Sequence, residues 1–256
     1  MRSVADILAD LNAVDRTGAA PYYRPRDAAT LLVLDRGGDG ALRVLMGKRH
    51  MRHKFMPGAW VFPGGRVDAA DSRVALADDY AEAMLTRLMH EMKGPKTAAR
   101  ARAFAVAALR ETWEEVGLLI GTKSGPDTSA TTAFDPHDAG AAFAAHGIVP
   151  AIGAMRLVAR AITPPGRPRR FDTRFFAISA ASIGGRHVDG VGPSGELEDV
   201  AWVTFAEART RPELPPITLA VLDELDNRLT GDPELSPDHP IPFYRWIRGR
   251  FVRSEI

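Results

Sequence analysis

The stretch that most constrains this chain is Arg110-Glu111-Thr112-Trp113-Glu114-Glu115-Val116-Gly117-Leu118. It lies in a run from Thr97 to Ile120, rich in alanine, leucine and arginine, that predicts a helix with Gly117 as a natural stop. On that helix Glu111, Glu114 and Glu115 stand at i, i+3 and i+4, so three carboxylates share one face. Like charges that close repel, and a divalent cation in an all-oxygen site relieves the repulsion. Val106, Leu109, Trp113 and Val116 form the opposite, core-facing stripe. The ordinary alternative is a solvated acidic face with Arg110 and Glu114 as an i,i+4 ion pair.

What tilts the balance is upstream, in Phe62-Pro63-Gly64-Gly65, where paired glycines let backbone approach a ligand closely. Together the two stretches resemble the signature of the Nudix hydrolases. In that pattern a glycine, five residues, a glutamate and seven residues precede Arg-Glu-aliphatic-any-Glu-Glu-any-Gly-aliphatic. Gly65 matches the first glycine, and Arg110, Glu111, Glu114, Glu115, Gly117 and Leu118 match the second half; Thr112 replaces the aliphatic residue. The spacing departs further: 44 residues separate Gly65 from Arg110 where the pattern needs thirteen, so about 31 are inserted. The first glutamate's place falls on Asp71 when counted forward from Gly65, and on Arg102 when counted back from Arg110.

Composition narrows the alternatives. In 256 residues, 45% hydrophobic content supports a real core, and a net charge of +1 gives no general case for nucleic acid. Without cysteine there is no disulfide, thiol nucleophile or cysteine–zinc site. No apolar run approaches the roughly 20 residues that cross a bilayer. The N-terminus, with Asp6 and Asp10, lacks the apolar region of a signal peptide. The expectation is a soluble, cytoplasmic protein.

Along the chain, Met1 to Asp15 has the apolar spacing of a short helix, and Pro21 to Pro25 reads as a linker. Ala28–Leu34 and Leu42–Lys48 read as a hairpin, followed by a basic loop over His50 to Pro57, with Lys48, Arg49, His50, Arg52, His53 and Lys54, and a short Val61-Phe62 strand. The insertion, about residues 69–96, predicts one or two helices near the site, shaping a pocket or a dimer surface. Gly121 to Asp135 reads as loop and Pro136 to His146 as a short helix. Strands are expected at Ala154–Ile162, Phe175–Ser179 and Val200–Val203, a helix capped by Thr204, and a final helix over Pro215–Leu229. The tail, 231–256, is expected to pack on the surface or a partner.

The Thr163-Pro164-Pro165 stretch and Arg169-Arg170-Phe171-Asp172-Thr173-Arg174 carry a second resemblance, to a Nudix subgroup whose signature is also split by an insertion. That subgroup includes peroxisomal coenzyme A diphosphatases. Met56-Pro57-Gly58 before the glycine loop and Val67-Asp68 after it are similar to the same subgroup. The resemblance implies a single α/β domain: an α/β/α sandwich with a mixed sheet, core about 26–230, and a helical insertion inside the signature.

It also implies metal-dependent cleavage of a phosphoanhydride in a nucleoside diphosphate linked to another moiety, coenzyme A or acyl-coenzyme A being favoured. Glu111, Glu114, Glu115 and the carbonyl of Gly64 would hold Mg²⁺ or Mn²⁺, with Arg110 orienting the glutamates. Arg49, Gly65, Arg169 and Arg170 would hold substrate. Glu111, Glu115, Glu196 and Glu198 all qualify by type as the base. The implied partners are a small-molecule nucleotide and a second copy in a homodimer, with neither nucleic acid nor membrane. Nucleotide sugars, NADH and dinucleoside polyphosphates stay open as substrates. So does a weakly catalytic nucleotide-binding module, because the first glutamate is missing.

Overall fold

A mixed sheet is built around strand β1 (Arg26–Arg36), whose apolar run from Leu31 to Leu34 is buried on both faces. A strand buried on both sides requires helices above and below it. The computed structural model describes residues 2–13, 21–52, 56–124, 139–187, 192–211 and 213–256. The elements after the N-terminal helix α1 (Val4–Ala13) and β1 are β2 (Leu42–Arg49), β3 (Trp60–Val61), β4 (Gly64–Arg66), α2 (Glu82–Met89), α3 (Ala98–Val116) and β5 (Leu118–Lys123). Then come α4 (Ala139–Ala145), β6 (Ile148–Pro150), β7 (Arg156–Ile162), β8 (Phe171–Ser179), β9 (Ile183–Arg186) and β10 (Leu197–Thr204). The chain closes with α5 (Phe205–Arg209), α6 (Pro216–Gly231), β11 (Pro242–Ile247) and β12 (Arg250–Glu255).

The main sheet runs β10-β2-β1-β8-β7-β11-β12, with β3 added to β2 and β4 to β1. β1 lies parallel to β8, and β7 to β11; the other pairs are antiparallel. Alternate side chains divide between two cores. Ala29, Leu31 and Val33 pack with α3, whereas Leu32 and Leu34 pack with α1, α5 and α6. This is the expected α/β/α sandwich. β5 pairs β6 and β9 in a smaller sheet.

Several local expectations are corrected. The α3 helix ends at Val116, short of Ile120 and at the expected Gly117 stop, because Gly117 takes the left-handed conformation (φ 69°) and its N–H donates to the Trp113 carbonyl. Leu118 to Ile120 then pair with β9 instead of extending the helix. Residues 125–138, including part of the expected loop and of the helix from Pro136, lie outside those described, as do His53 and Lys54 of the basic loop.

The tail is the largest correction. β11 joins β7 and forms a hairpin with β12, so residues 242–255 are part of the main sheet. Phe243 and Tyr244 are fully buried there, and Tyr244 and Arg253 both bond to Glu224 of α6. The Phe243-Tyr244-Arg245-Trp246-Ile247 stretch finds its parallel neighbour, β7, far away in the sequence, which no local pattern announces.

The insertion forms a 3-10 turn (Ala69–Arg73) and α2. Tyr80, Met84, Leu88 and Met92 enter the α3-side core. Asp79 pairs with Arg102, and Arg160 donates to the His90 carbonyl at 2.7 Å. No residue of 69–96 lines the main cavity, so the insertion packs behind α3 instead of shaping the pocket.

Candidate active site

The C-terminal half of α3 gathers the predicted residues, and Arg110 is their hub. Its Nε donates to Asp71 Oδ1 at 3.0 Å and its Nη2 to Asp71 Oδ2 at 3.2 Å, in a buried fork. Nη1 donates to Glu111 Oε1 at 2.9 Å and stands 3.3 Å from Glu114 Oε2. Nη2 also donates to the Arg66 carbonyl at 2.9 Å, tying the helix to the glycine strand. Burial works against the guanidinium charge, but Asp71 and the two glutamates outweigh it and hold its pKa above the ordinary value. Asp71 is 2% exposed and also accepts the Asp68 N–H at 2.7 Å. Arg102, the other position that counting allowed, points away to Asp79.

The two glycines fit the glutamates. Gly64 N–H donates to Glu115 Oε2 at 2.8 Å, so the contact found for Gly64 is through its amide. A Cβ on Gly65 would fall 2.3 Å from Glu111 Oε1, so only hydrogen allows that approach. Glu115 is 2% exposed, and burial, reinforced by the nearby Glu111 charge, pushes its carboxyl well above the usual range. Burial also raises Glu111, against the pull of Arg110.

Above these groups opens a cavity of about 1060 Å³. One face of the sheet lines it through alternate residues, Arg26, Ala28 and Thr30 of β1 and their partners Phe171, Thr173 and Phe175 of β8. Gly64, Gly65, Glu111, Arg49 and Glu196 form the other end. Arg49 bridges two carboxylates, with Nη1 3.8 Å from Glu115 Oε1 and Nη2 3.6 Å from Glu196 Oε2. Glu196 reaches the site because its loop seats on the end of α3. Ser194 N–H donates to the Glu114 carbonyl at 2.8 Å, and a Cβ on Gly192 would lie 2.1 Å from the Glu115 carbonyl carbon. Arg52 bonds the carbonyls of Ser194 and Gly195, so that part of the basic loop fastens the acidic loop.

A family model described as the NUDT19 Nudix domain matches residues 25–211. A crystal structure of a NUDIX hydrolase from Alicyclobacillus acidocaldarius is 31% identical, covers 79% of this chain and 91% of that chain, and superposes with a TM-score of 0.58. The chain belongs to the Nudix hydrolase superfamily. The nudix hydrolase 7 of Caenorhabditis elegans is 33% identical over 143 residues, 53% of this chain. The match spans 39% of that curated relative's length.

Within the Nudix frame, the residues predicted for the site separate into two groups. Glu111, Glu115, Arg110, Gly64, Gly65, Arg49 and Glu196 converge. Glu114 turns to Arg110, and Glu198 sits beside His50 (3.2 Å) and does not line the cavity. Arg169 is exposed on the cavity rim. Arg170 lines the cavity too, but its Nε and Nη1 donate to the carbonyls of Thr163 and Tyr23 at 2.9 and 2.8 Å. It braces two segments. Asp172, two residues on, pairs instead with Arg160 and Arg174.

A Nudix site implies a divalent cation, and the donor chemistry here suits one. Two carboxylates are desolvated side by side, with Glu196 close enough to raise both. Such an arrangement is costly without added positive charge, and oxygen donors suit Mg²⁺ or Mn²⁺. Among the described residues, however, no three His, Asp or Glu side chains stand together as a ready-made metal shell.

Sequence reading missed the segment Tyr23 to Arg26 as a wall of the cavity, having taken it for a linker. The alternation Arg26, Ala28, Thr30 on one strand face was the available signal. It also missed Arg66, next to the glycines, which lines the cavity and pairs with Asp68 at 2.8 Å.

Proposed function

We propose that the chain hydrolyses the phosphoanhydride of a nucleoside diphosphate linked to a second moiety, using a divalent cation. The observation that carries this reading is the pair Glu111 and Glu115, desolvated beneath a large cavity and pressed against Gly64 and Gly65. Glu111 and Glu115 would hold the cation, which supplies charge neutralisation at phosphorus and a more acidic bound water.

The chain's own residues do the rest. Arg110, fixed by Asp71, fixes Glu111 in turn and offsets the repulsion among the carboxylates. Arg49 stands at the carboxylate end, where its fork can receive a phosphate oxygen. Glu196 comes from a separate loop and is the carboxylate we assign to take the proton of the attacking water. The NUDT19 domain match supports coenzyme A or an acyl-coenzyme A as substrate, cut to 3′,5′-ADP and a phosphopantetheine.

The test is a panel of coenzyme A, NADH, ADP-ribose and a nucleotide sugar, with Mg²⁺ or Mn²⁺, products identified by mass. Hydrolysis should vanish with chelator and in Glu115→Gln, and fall in Glu196→Gln. Inactivity of the wild type on the whole panel with both metals would remove the enzymatic reading.

A further inference from the structure

A second cavity, of about 730 Å³, lies at the far end of β1 from Gly64 and the glutamates. That is the size of a small-molecule site. β1 and β8 run parallel and both end in it. The carboxyl ends of parallel strands leave a crevice where ligands seat.

Strand register makes this crevice. Leu34 stands opposite Ser179, where β8 stops and the chain turns off through residues 180–182. On one flank β1 runs on to Arg36; on the other β7 begins at Arg156, opposite Ala177. β8 lies between the two, so its early end leaves a notch. Thr30 is the residue opposite Gly64, and Arg36 is six residues further along β1. At about 3.3 Å per residue the notch is roughly 20 Å from the glycine loop.

Arg36, Arg156 and Arg186 line it with Asp35 and Glu234, and among the described residues none of the five is in an ion pair. Arg36 shares a face of β1 with Leu34 and Leu32, and Arg156 belongs to the same row as Ala177 and Leu32. The two arginines therefore stand on one face of the sheet. Asp35 takes the opposite face, across from Arg43. Arg156 is preset: its Nη1 donates to the carbonyls of Gly153 and Met155 at 2.8 and 3.0 Å, and its Nη2 is uncommitted among the described residues. Leu34, Leu42 and Leu229 line the cavity too. Guanidinium forks suit an oxyanion, and the leucines suit an organic body attached to it.

We propose that Arg36 and Arg156 hold the oxyanion of a small organic ligand, a carboxylate or a phosphate ester, at a site separate from the catalytic cavity. The ligand's apolar part lies on Leu34, Leu42 and Leu229.

Calorimetry on the intact protein tests this with AMP, octanoate and inorganic phosphate, and needs no turnover. At least one organic anion should bind roughly tenfold more tightly than inorganic phosphate, and its headgroup tells phosphate ester from carboxylate. Arg36→Gln and Arg156→Gln should each weaken that binding roughly tenfold. Glu234→Gln should strengthen it, and Arg49→Gln, in the catalytic cavity, should leave it unchanged. Arg36 is exposed, so its variant folds even where loss of the Arg156 ties does not allow it. Absence of binding by both organic anions overturns the site. So does binding no tighter than that of inorganic phosphate, or binding that Arg36→Gln leaves intact.

Discussion

Arg110 is forked onto Asp71, 39 positions earlier in the chain, through two hydrogen bonds of 3.0 and 3.2 Å. Asp71 thus stands where counting forward from Gly65 puts the first signature glutamate, and it acts on the other glutamates through the arginine between them.

Asp71→Asn keeps the shape and removes the charge. It should lower kcat/KM by roughly 10–100-fold, as expected for a group that orients metal-site ligands. Stability should fall by about 1–3 kcal/mol, since Arg110 keeps Glu111 and Glu114 as partners. Urea unfolding and kinetics on one preparation check both. Full activity in Asp71→Asn would mean that Arg110 needs no such anchor.

Gly65→Ala should separate catalysis from stability. The three atoms nearest to the added methyl all belong to the end of the Glu111 side chain, which can swing aside. Melting should therefore change little, whereas displacing Glu111 by about 1 Å should reduce kcat roughly 100-fold. A variant with near-normal kcat would show that the close approach of Gly65 to Glu111 is not required.

Metal-free stability should decline as pH rises. Burial and Glu111 hold the Glu115 carboxyl above its unfolded value, so the native state binds the extra proton. Stability from that protonation is present in acid and lost as pH climbs from the ordinary carboxylate range through the raised native value. In chelator, Glu115→Gln should flatten this slope, and Mg²⁺ should restabilise wild type but not the variant. Parallel melting curves for the two proteins across pH would contradict it.

Phe243→Ala should destabilise without altering chemistry. The ring is fully buried in β11 and carries the Arg160 guanidinium 4.3 Å from its centroid. A loss of about 3–5 kcal/mol is expected, with kcat/KM unchanged below the melting transition. A drop of under about 1 kcal/mol would place β11 outside the cooperative unit.

By itself the sequence determined the pieces that rest on local rules. Glutamates at i, i+3 and i+4, a glycine stop and apolar runs named α3, the glycine loop, most strands and the family. These follow from helical spacing and backbone freedom, which are properties of neighbours in the chain. Tertiary structure alone decided the rest. Asp71 and not Arg102 beside Arg110, Glu196 and not Glu198 on the cavity wall, Arg170 as brace and the tail as sheet strands all depend on which distant segment supplies the partner. A buried charge or an unpaired strand edge must be satisfied by something, but its own sequence does not say by what. The three glutamates that look alike on a helical projection end differently for the same reason: Glu115 is sealed under Gly64, Glu111 lies against Gly65, and Glu114 leans on Arg110.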